Sequence, residues 1–383
     1  MGQPDPGADD HHHVNSRRSH GNQAHDGGMR LRPLLATTVA AVLAAVLAVT
    51  LVGCGADTRG SQQFYKRAMA PVPNSAPPSH PLVTAFEPSW DEGTVLQASR
   101  ASIDMVAISG IDIVAGGAAV STPTAAVLSR LKLAHQLGKK AEVLLLNYQA
   151  GVGFSDEVAK SMISTKANRD AAAASLAAVV SQYRFDGVMF DLESLSAGDS
   201  KDLTAFAAAL RADVGPDIHL DAALQPSTTA AGYRHLGYDL AGLLTSLNTV
   251  TVMGYDQHGT FNPTNPGPVG ELSWQRKVLA ALLLTAKPSQ VDLGVAGYGY
   301  RWAADGAHTV GDVRARRLVS EAHVTPTFDE VRGEWTATLP DGQIFWWADA
   351  RSIALREQLA ASLGLHGVAV WSMALSDPVP AAP

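Results

Sequence analysis

Two carboxylates two residues apart, Asp191 and Glu193, close an apolar run that begins Gly187-Val188-Met189-Phe190. In an extended chain successive side chains alternate, so Val188, Phe190 and Leu192 would share one face and Met189, Asp191 and Glu193 the other. A strand here brings two acids together at its C-terminal end. Desolvating a carboxylate is costly, so a buried strand carries such a pair when the acids are paired or used. The same spacing fits the first turn of a helix beside Ser194, where carboxylates meet unpaired N–H groups and the positive end of the dipole. The local pattern leaves strand and cap both open.

The elements around the pair decide between them. From Pro81 onward strand-like runs alternate with helix-like ones. Residues 82–86, 105–108 and 141–147 read as strands, with an apolar-periodic helix over 125–137 before the third and an Ala-rich helix over 167–183 after it. The run holding Asp191 and Glu193 follows as a fourth strand. Helix 201–212, strand 218–224, helix 236–246, strand 248–255, helix 274–286, strand 291–297, helix 350–363 and strand 367–372 complete eight βα units. Eight units over some 300 residues predict the α/β class and a parallel (β/α)8 TIM barrel, with a doubly wound sheet as the alternative. The segment 303–349 is too long for one unit. Its patterns over 310–319, 326–328 and 334–339, followed by Asp341-Gly342, predict a small α+β insertion with a hairpin after strand seven. Such an insertion either walls the mouth or only packs beside it.

In a barrel the reacting groups stand at the C-terminal ends of several strands. Strand five ends at Gln225, strand six at Met253-Gly254-Tyr255-Asp256, strand seven at Gly297-Tyr298-Gly299-Tyr300-Arg301-Trp302 and strand eight at Val370-Trp371-Ser372. Acids, phenols and indoles meeting at one mouth suit a sugar: acids for the glycosidic oxygen, flat rings for the apolar faces of pyranoses. Ordinary core packing accounts for any one of these rings, though less readily for all four ends.

The chain has 383 residues, 46% hydrophobic and 17% charged, enough to bury a large core. Its net charge of -7, without a dense Lys/Arg block, argues against nucleic acid as a partner and for a neutral ligand. Residues 1–28 are polar and aperiodic, with a His11-His12-His13 run that is either a metal-binding tract or part of a disordered or untranslated extension. From Met29, a second candidate start, Arg30 and Arg32 precede an uncharged run from Leu34 to Val52 and then Gly53-Cys54, the order of an export signal. Leu51-Val52-Gly53-Cys54 resembles a bacterial lipobox, so 29–54 is expected to be a lipoprotein signal peptide with Cys54, the single cysteine, as the lipidated residue. An uncleaved membrane helix is the alternative. Either places the domain at the cell membrane on its extracytoplasmic face. Pro-rich residues 55–81 read as a tether, and residues 82–383 as the globular domain, expected to be a monomer.

Phe185-Asp186-Gly187-Val188-Met189-Phe190-Asp191-Leu192-Glu193 resembles the strand-four signature of glycoside hydrolase family 18, Asp-x-x-Asp-x-Asp-x-Glu, with Met189 in place of the middle Asp. Met253-x-Tyr255-Asp256 resembles its strand six and Gly367-Val368-Ala369-Val370-Trp371 its strand eight. Pro266-Gly267-Pro268-Val269, Leu293-Gly294-Val295 and the run from Trp347 to Ser352 look most like the spore-cortex and cell-wall branch, the peptidoglycan N-acetylglucosaminidase-like enzymes. The resemblance implies cleavage of β-1,4-linked N-acetylglucosamine polymers with retention, the substrate's own acetamido oxygen serving as nucleophile. By carry-over Glu193 is the acid and then the base, Asp191 holds the acetamido N–H, Tyr255 donates to the acetamido oxygen, Asp256 holds the distorted sugar and Trp371 lies beneath it. Gln225, Met253 and Tyr298 complete the expected substrate-binding set, while Asp186, Gly187 and Met189 are the structural positions of the motif.

Two departures stand out. Met189 cannot share a proton with Asp191, and Leu146-Asn147-Tyr148-Gln149 replaces the Ser-x-Gly-Gly of typical chitinases. The alternative is therefore a catalytically weak or inactive carbohydrate-binding lipoprotein on the same barrel. No metal or organic cofactor is implied, since outside the N-terminal tail no His/Cys/Asp cluster has ligand spacing.

Overall fold

The computed structural model describes residues 80–380. The expected export segment, Cys54 and all but the last two residues of the tether lie outside them. Eight parallel strands close into a barrel: β1 (Leu82–Glu87), β2 (Met105–Asp112), β3 (Lys140–Leu146), β4 (Gly187–Asp191), β5 (His219–Leu224), β6 (Thr249–Val252), β7 (Val291–Ala296) and β8 (Gly367–Trp371). The ring closes where β8 pairs with β1. The fold is the (β/α)8 barrel that the element count predicts.

The approach to β4 shows how local sequence sets the strand that matters most. Thr165 starts the helix Lys166–Tyr183 by accepting the Asn168 N–H at 3.2 Å. Arg184, in the left-handed region at φ 62°, ends it. The Asp186 carboxylate then accepts the Ala141 N–H at 2.8 Å, which fixes the start of β4 against β3, and it also meets His135 at 3.0 Å. A methyl group at Gly187 would come within 3.0 Å of the Glu142 Cβ and the His219 carbonyl, so only glycine lets the three strands approach there. Asp186 and Gly187 thus act at the foot of the barrel, far from its mouth.

Side chains alternate through β4 as parity requires. Val188, Phe190 and Leu192 join the core between barrel and helices, where Phe190 meets Phe206 edge-on at 5.7 Å. Met189 faces the barrel axis in an apolar layer with Phe86, Ala107, Leu144, Ala223 and Ala369. Below that layer the axis is polar. His219 contacts Glu142 at 3.2 Å, Thr251 donates to Asp221 at 2.6 Å, and His366 contacts Asp292 at 2.9 Å. The two imidazoles stack at 6.2 Å and close the floor over these buried carboxylates.

Several elements differ from the sequence expectation: strand six, expected over 248–255, stops at Val252, so that Met253, Tyr255 and Asp256 follow it, and a hairpin (Tyr148–Gln149 with Gly153–Phe154) and a helix (Asp156–Ile163) stand where no element was expected. The single helix over 236–246 is two short ones, Ala230–His235 and Leu240–Leu243. Gly237 at φ 86° interrupts them, and Asp239 restarts the second by accepting the Gly242 N–H at 3.2 Å. The strand expected over 291–297 stops at Ala296, and Gly299–Ala303 belongs to a separate antiparallel sheet with Gly306–Val310, Ile344–Trp347, Glu334–Thr338 and Thr327–Asp329. This sheet and the helix Asp312–Glu321 form the α+β insertion, which begins at Gly299 and not at 303. Its outer face, with Phe345, Trp347 and Ala337, packs on that helix. Its inner face turns Tyr300 and Trp302 toward the barrel mouth.

A buried lock ties the insertion to the barrel. Arg356, on the helix Ala350–Leu363, donates to the Gly270 carbonyl at 2.6 Å, to Gln275 at 3.1 Å and to the Gly333 carbonyl, and it meets Glu334 at 3.3 Å. Glu334 in turn accepts the N–H groups of Val269 and Gly270 at 2.7 and 2.8 Å. Burial pushes Glu334 up and Arg356 down, so for both groups desolvation outweighs their mutual attraction. The hydrogen bonds to backbone are what fill the remaining valences.

Candidate active site

At the mouth, β4 delivers Asp191 as its last residue, and Glu193 follows on the same face. Both are buried, at 7% and 4% exposure. Glu193 Oε2 accepts a 2.7 Å hydrogen bond from Gln225 Nε2 at the end of β5, whereas Glu193 Oε1 and Asp191 Oδ1 have no protein donor. Gln225 is itself fixed, its N–H donating to the Tyr238 hydroxyl at 3.2 Å.

Burial raises Asp191 well above the ordinary carboxylate range. Glu193 is raised as well, first by burial and then by the charge of Asp191, with the Gln225 hydrogen bond opposing the rise and Asp256 adding to it. A carboxyl held protonated near neutral pH beside a second acid can give a proton to a leaving oxygen. The apolar layer that includes Met189 supplies the low dielectric beneath them.

The opposite side of the mouth is built from phenols. Tyr255 is buried, its hydroxyl raised first by burial and then by the charges of Asp191, Asp256 and Glu193, so it stays a donor. Asp256 sits at φ 57°, and its Oδ1 accepts from Tyr298 and, at 2.7 Å, from Tyr300. Tyr255 and Tyr298 meet edge-on at 6.3 Å, and Tyr300 and Trp302 are tilted against each other at 5.8 Å. Trp371, at the end of β8, meets Phe86 of β1 at 5.2 Å and borders both the phenol cluster and the layer around Met189. Met253 packs in that phenol cluster.

Glu193, Asp191, Tyr255, Asp256, Met253, Gln225, Tyr298 and Trp371 therefore meet at one end of the barrel. Two of them hold other residues: Gln225 grips Glu193, and the Tyr298 hydroxyl is spent on Asp256. Sequence reasoning missed Phe86, although the alternation of β1 could have found it, and placed Tyr300 and Trp302 on the end of strand seven and not on the insertion. It gave no sign of Tyr238, whose partner is a backbone N–H thirteen residues away. Among the described residues, no group of three or more His, Cys, Asp or Glu could hold a metal ion.

Comparison with known proteins agrees with this architecture. The cortical fragment-lytic enzyme of Bacillus subtilis (strain 168) is 24% identical over 241 residues, covering 59% of this chain and 55% of that protein. The chain spans about half the length of the curated relatives it matches. The spore cortex-lytic enzyme SleL of Bacillus cereus superposes with a TM-score of 0.71 at 18% identity, over 86% of this chain and 83% of that one. A chitinase from Chromobacterium violaceum ATCC 12472 superposes at 0.67 with 23% identity, over 78% and 96%. These likenesses concern the fold. The profile described as Glycosyl hydrolases family 18 matches residues 150–375, from the hairpin after β3 to the loop after β8. The chain belongs to that family.

Proposed function

We propose that this chain hydrolyses β-1,4-linked N-acetylglucosamine-containing polysaccharide, of the peptidoglycan or chitin-like kind, by substrate-assisted catalysis with retention. The observation that carries this reading is the pair of buried carboxyls at the mouth, each with one oxygen free of protein donors and one of them gripped by Gln225. Glu193 gives its proton to the leaving glycosidic oxygen as the C1–O bond breaks and the substrate's acetamido oxygen bonds to C1. Asp191 steadies the positive oxazolinium through its N–H, and Tyr255 donates to the acetamido oxygen. Water then adds to C1, Glu193 recovers a proton from it, and the ring opens with the original configuration. Asp256 holds the distorted sugar above Trp371.

The names of the relatives, cortex-lytic enzymes and a chitinase, support this substrate class and favour wall polymer. A lipid on Cys54, holding the domain at the outer membrane face, would bring the wall within reach. Loss of membrane partition in Cys54→Ser tests that placement.

The deciding assay measures reducing ends released from purified peptidoglycan and from chitooligosaccharides. Wild type is expected to release them and Glu193→Gln to release none while still binding sugar. A wild type that binds both polymers and cleaves neither would leave the second reading, a carbohydrate-binding protein, for which Met189 is the motivating residue.

A further inference from the structure

The β3–β4 ladder ends at the pair Leu146 and Asp191. Glu193 lies two residues beyond it, where no neighbouring strand holds its peptide groups. Asn147, the residue after β3, fills that gap with its side chain. Its Oδ1 accepts the Glu193 N–H at 3.0 Å, and its Nδ2 donates to the Glu193 carbonyl at 2.9 Å. The same Nδ2 donates to the Ser155 carbonyl at 2.8 Å, and the Asn147 carbonyl accepts the Ser155 N–H at 3.1 Å. Asn147 is wholly buried. Both of its donor hydrogens and its acceptor are in use, and an amide is the side chain that can copy a strand's peptide group in this way.

From this geometry we propose that Asn147 is a positioning residue for the general acid, a proposal that rests on the reading of Glu193 above. The carboxamide sets the Glu193 backbone, Gln225 sets its carboxyl, and between them the side chain has one orientation toward a glycosidic oxygen. The clamp also joins the acid to the hairpin of Tyr148–Gln149 and Gly153–Phe154. Ser194, at φ 64° just after the acid, adds to that joint by donating its hydroxyl to the Phe154 carbonyl at 3.2 Å.

The test compares wild type, Asn147→Ala and Asn147→Asp, with rates normalised to the folded fraction by fluorescence. Displacement of a reacting group by about 1 Å costs on the order of 100-fold. Asn147→Ala is therefore expected to lower kcat about 10- to 100-fold, with KM within about twofold. Asn147→Asp keeps an acceptor but, when ionised, loses both donors and adds a charge beside Glu193. Its rate relative to wild type should rise as pH falls and its carboxyl gains a proton, whereas the Asn147→Ala ratio stays flat. Hydrogen exchange gives a reading independent of activity: protection of the Glu193 amide should drop at least about tenfold in Asn147→Ala while that of Phe190 holds, as expected when one local bond is lost. Unchanged kcat, or unchanged protection at Glu193, would overturn the proposal. An inactive wild type with the exchange result as expected would instead sink the glycosidase reading and leave the clamp standing.

Discussion

Asp191 and Glu193 share one buried box, and under the proposed mechanism the shifts that burial imposes on them set the pH at which the site works. Glu193 must be protonated to act as an acid, so the alkaline limb of kcat/KM is expected well above the range of an exposed glutamate, about 4.3. A pH–rate profile checks this, and a limb near that ordinary value would remove Glu193 from the role. Met189 closes the box from below, fully buried among Phe86, Leu144 and Ala223. Met189→Asp, which restores the family's carboxylate, is therefore expected to destabilise the fold by about 2–5 kcal/mol in denaturant unfolding, because it puts a polar group into the apolar layer of Phe86, Leu144 and Ala223 and beside the buried Asp221. At this scale the sequence was partly legible: alternation alone put Met189, Asp191 and Glu193 on one face. It could not reveal Asn147 or Tyr238, since a side chain meeting a distant backbone group leaves no periodic mark.

The eight strands were readable because each is a short apolar run between helical patterns, and their order follows from the chain. The insertion was read less well. Tyr298, Tyr300 and Trp302 alternate with small or polar residues, so Gly299–Ala303 looks like a continuation of strand seven although it pairs antiparallel in another sheet. Two predictions belong to this element. Arg356→Met removes one partner of the buried lock and leaves Glu334 desolvated, so it should cost about 3–5 kcal/mol, read as a lower denaturation midpoint. Trp346, half-buried and packed against the mouth cluster, should matter for binding more than for folding. An aromatic contact is worth about 0.5–1.5 kcal/mol, so Trp346→Ala should raise KM by roughly 2- to 10-fold with kcat little changed. An unchanged KM would show that the insertion's inner face only packs.

Among the described residues, several buried acids lean one way. Burial raises Glu87 to about 8, Asp221 to about 7 and Glu357 to about 6, and Asp191 and Glu193 move with them. His219 and His366, facing Glu142, Asp221 and Asp292 at the barrel floor, are raised as well. The sign is the same for all: the folded chain keeps protons that the unfolded chain has released. The histidine contribution is complete below about 6.5, the unfolded value, and is lost as pH rises through the raised folded values. The Glu87 contribution is lost as pH rises from about 4.5, its unfolded value, through about 8. Melting temperature is therefore expected to fall steadily from pH 5 to pH 9, and Glu87→Gln should flatten part of that fall. A profile that is level or rises over that range would contradict the assignment.

The lock around Arg356 also bears on how a polymer enters. It joins the insertion to the loop after β6 and to the last helix, and so holds the far wall of the mouth against the barrel. A glycan of the proposed kind would find that wall already made, with little ordering entropy spent on the protein side.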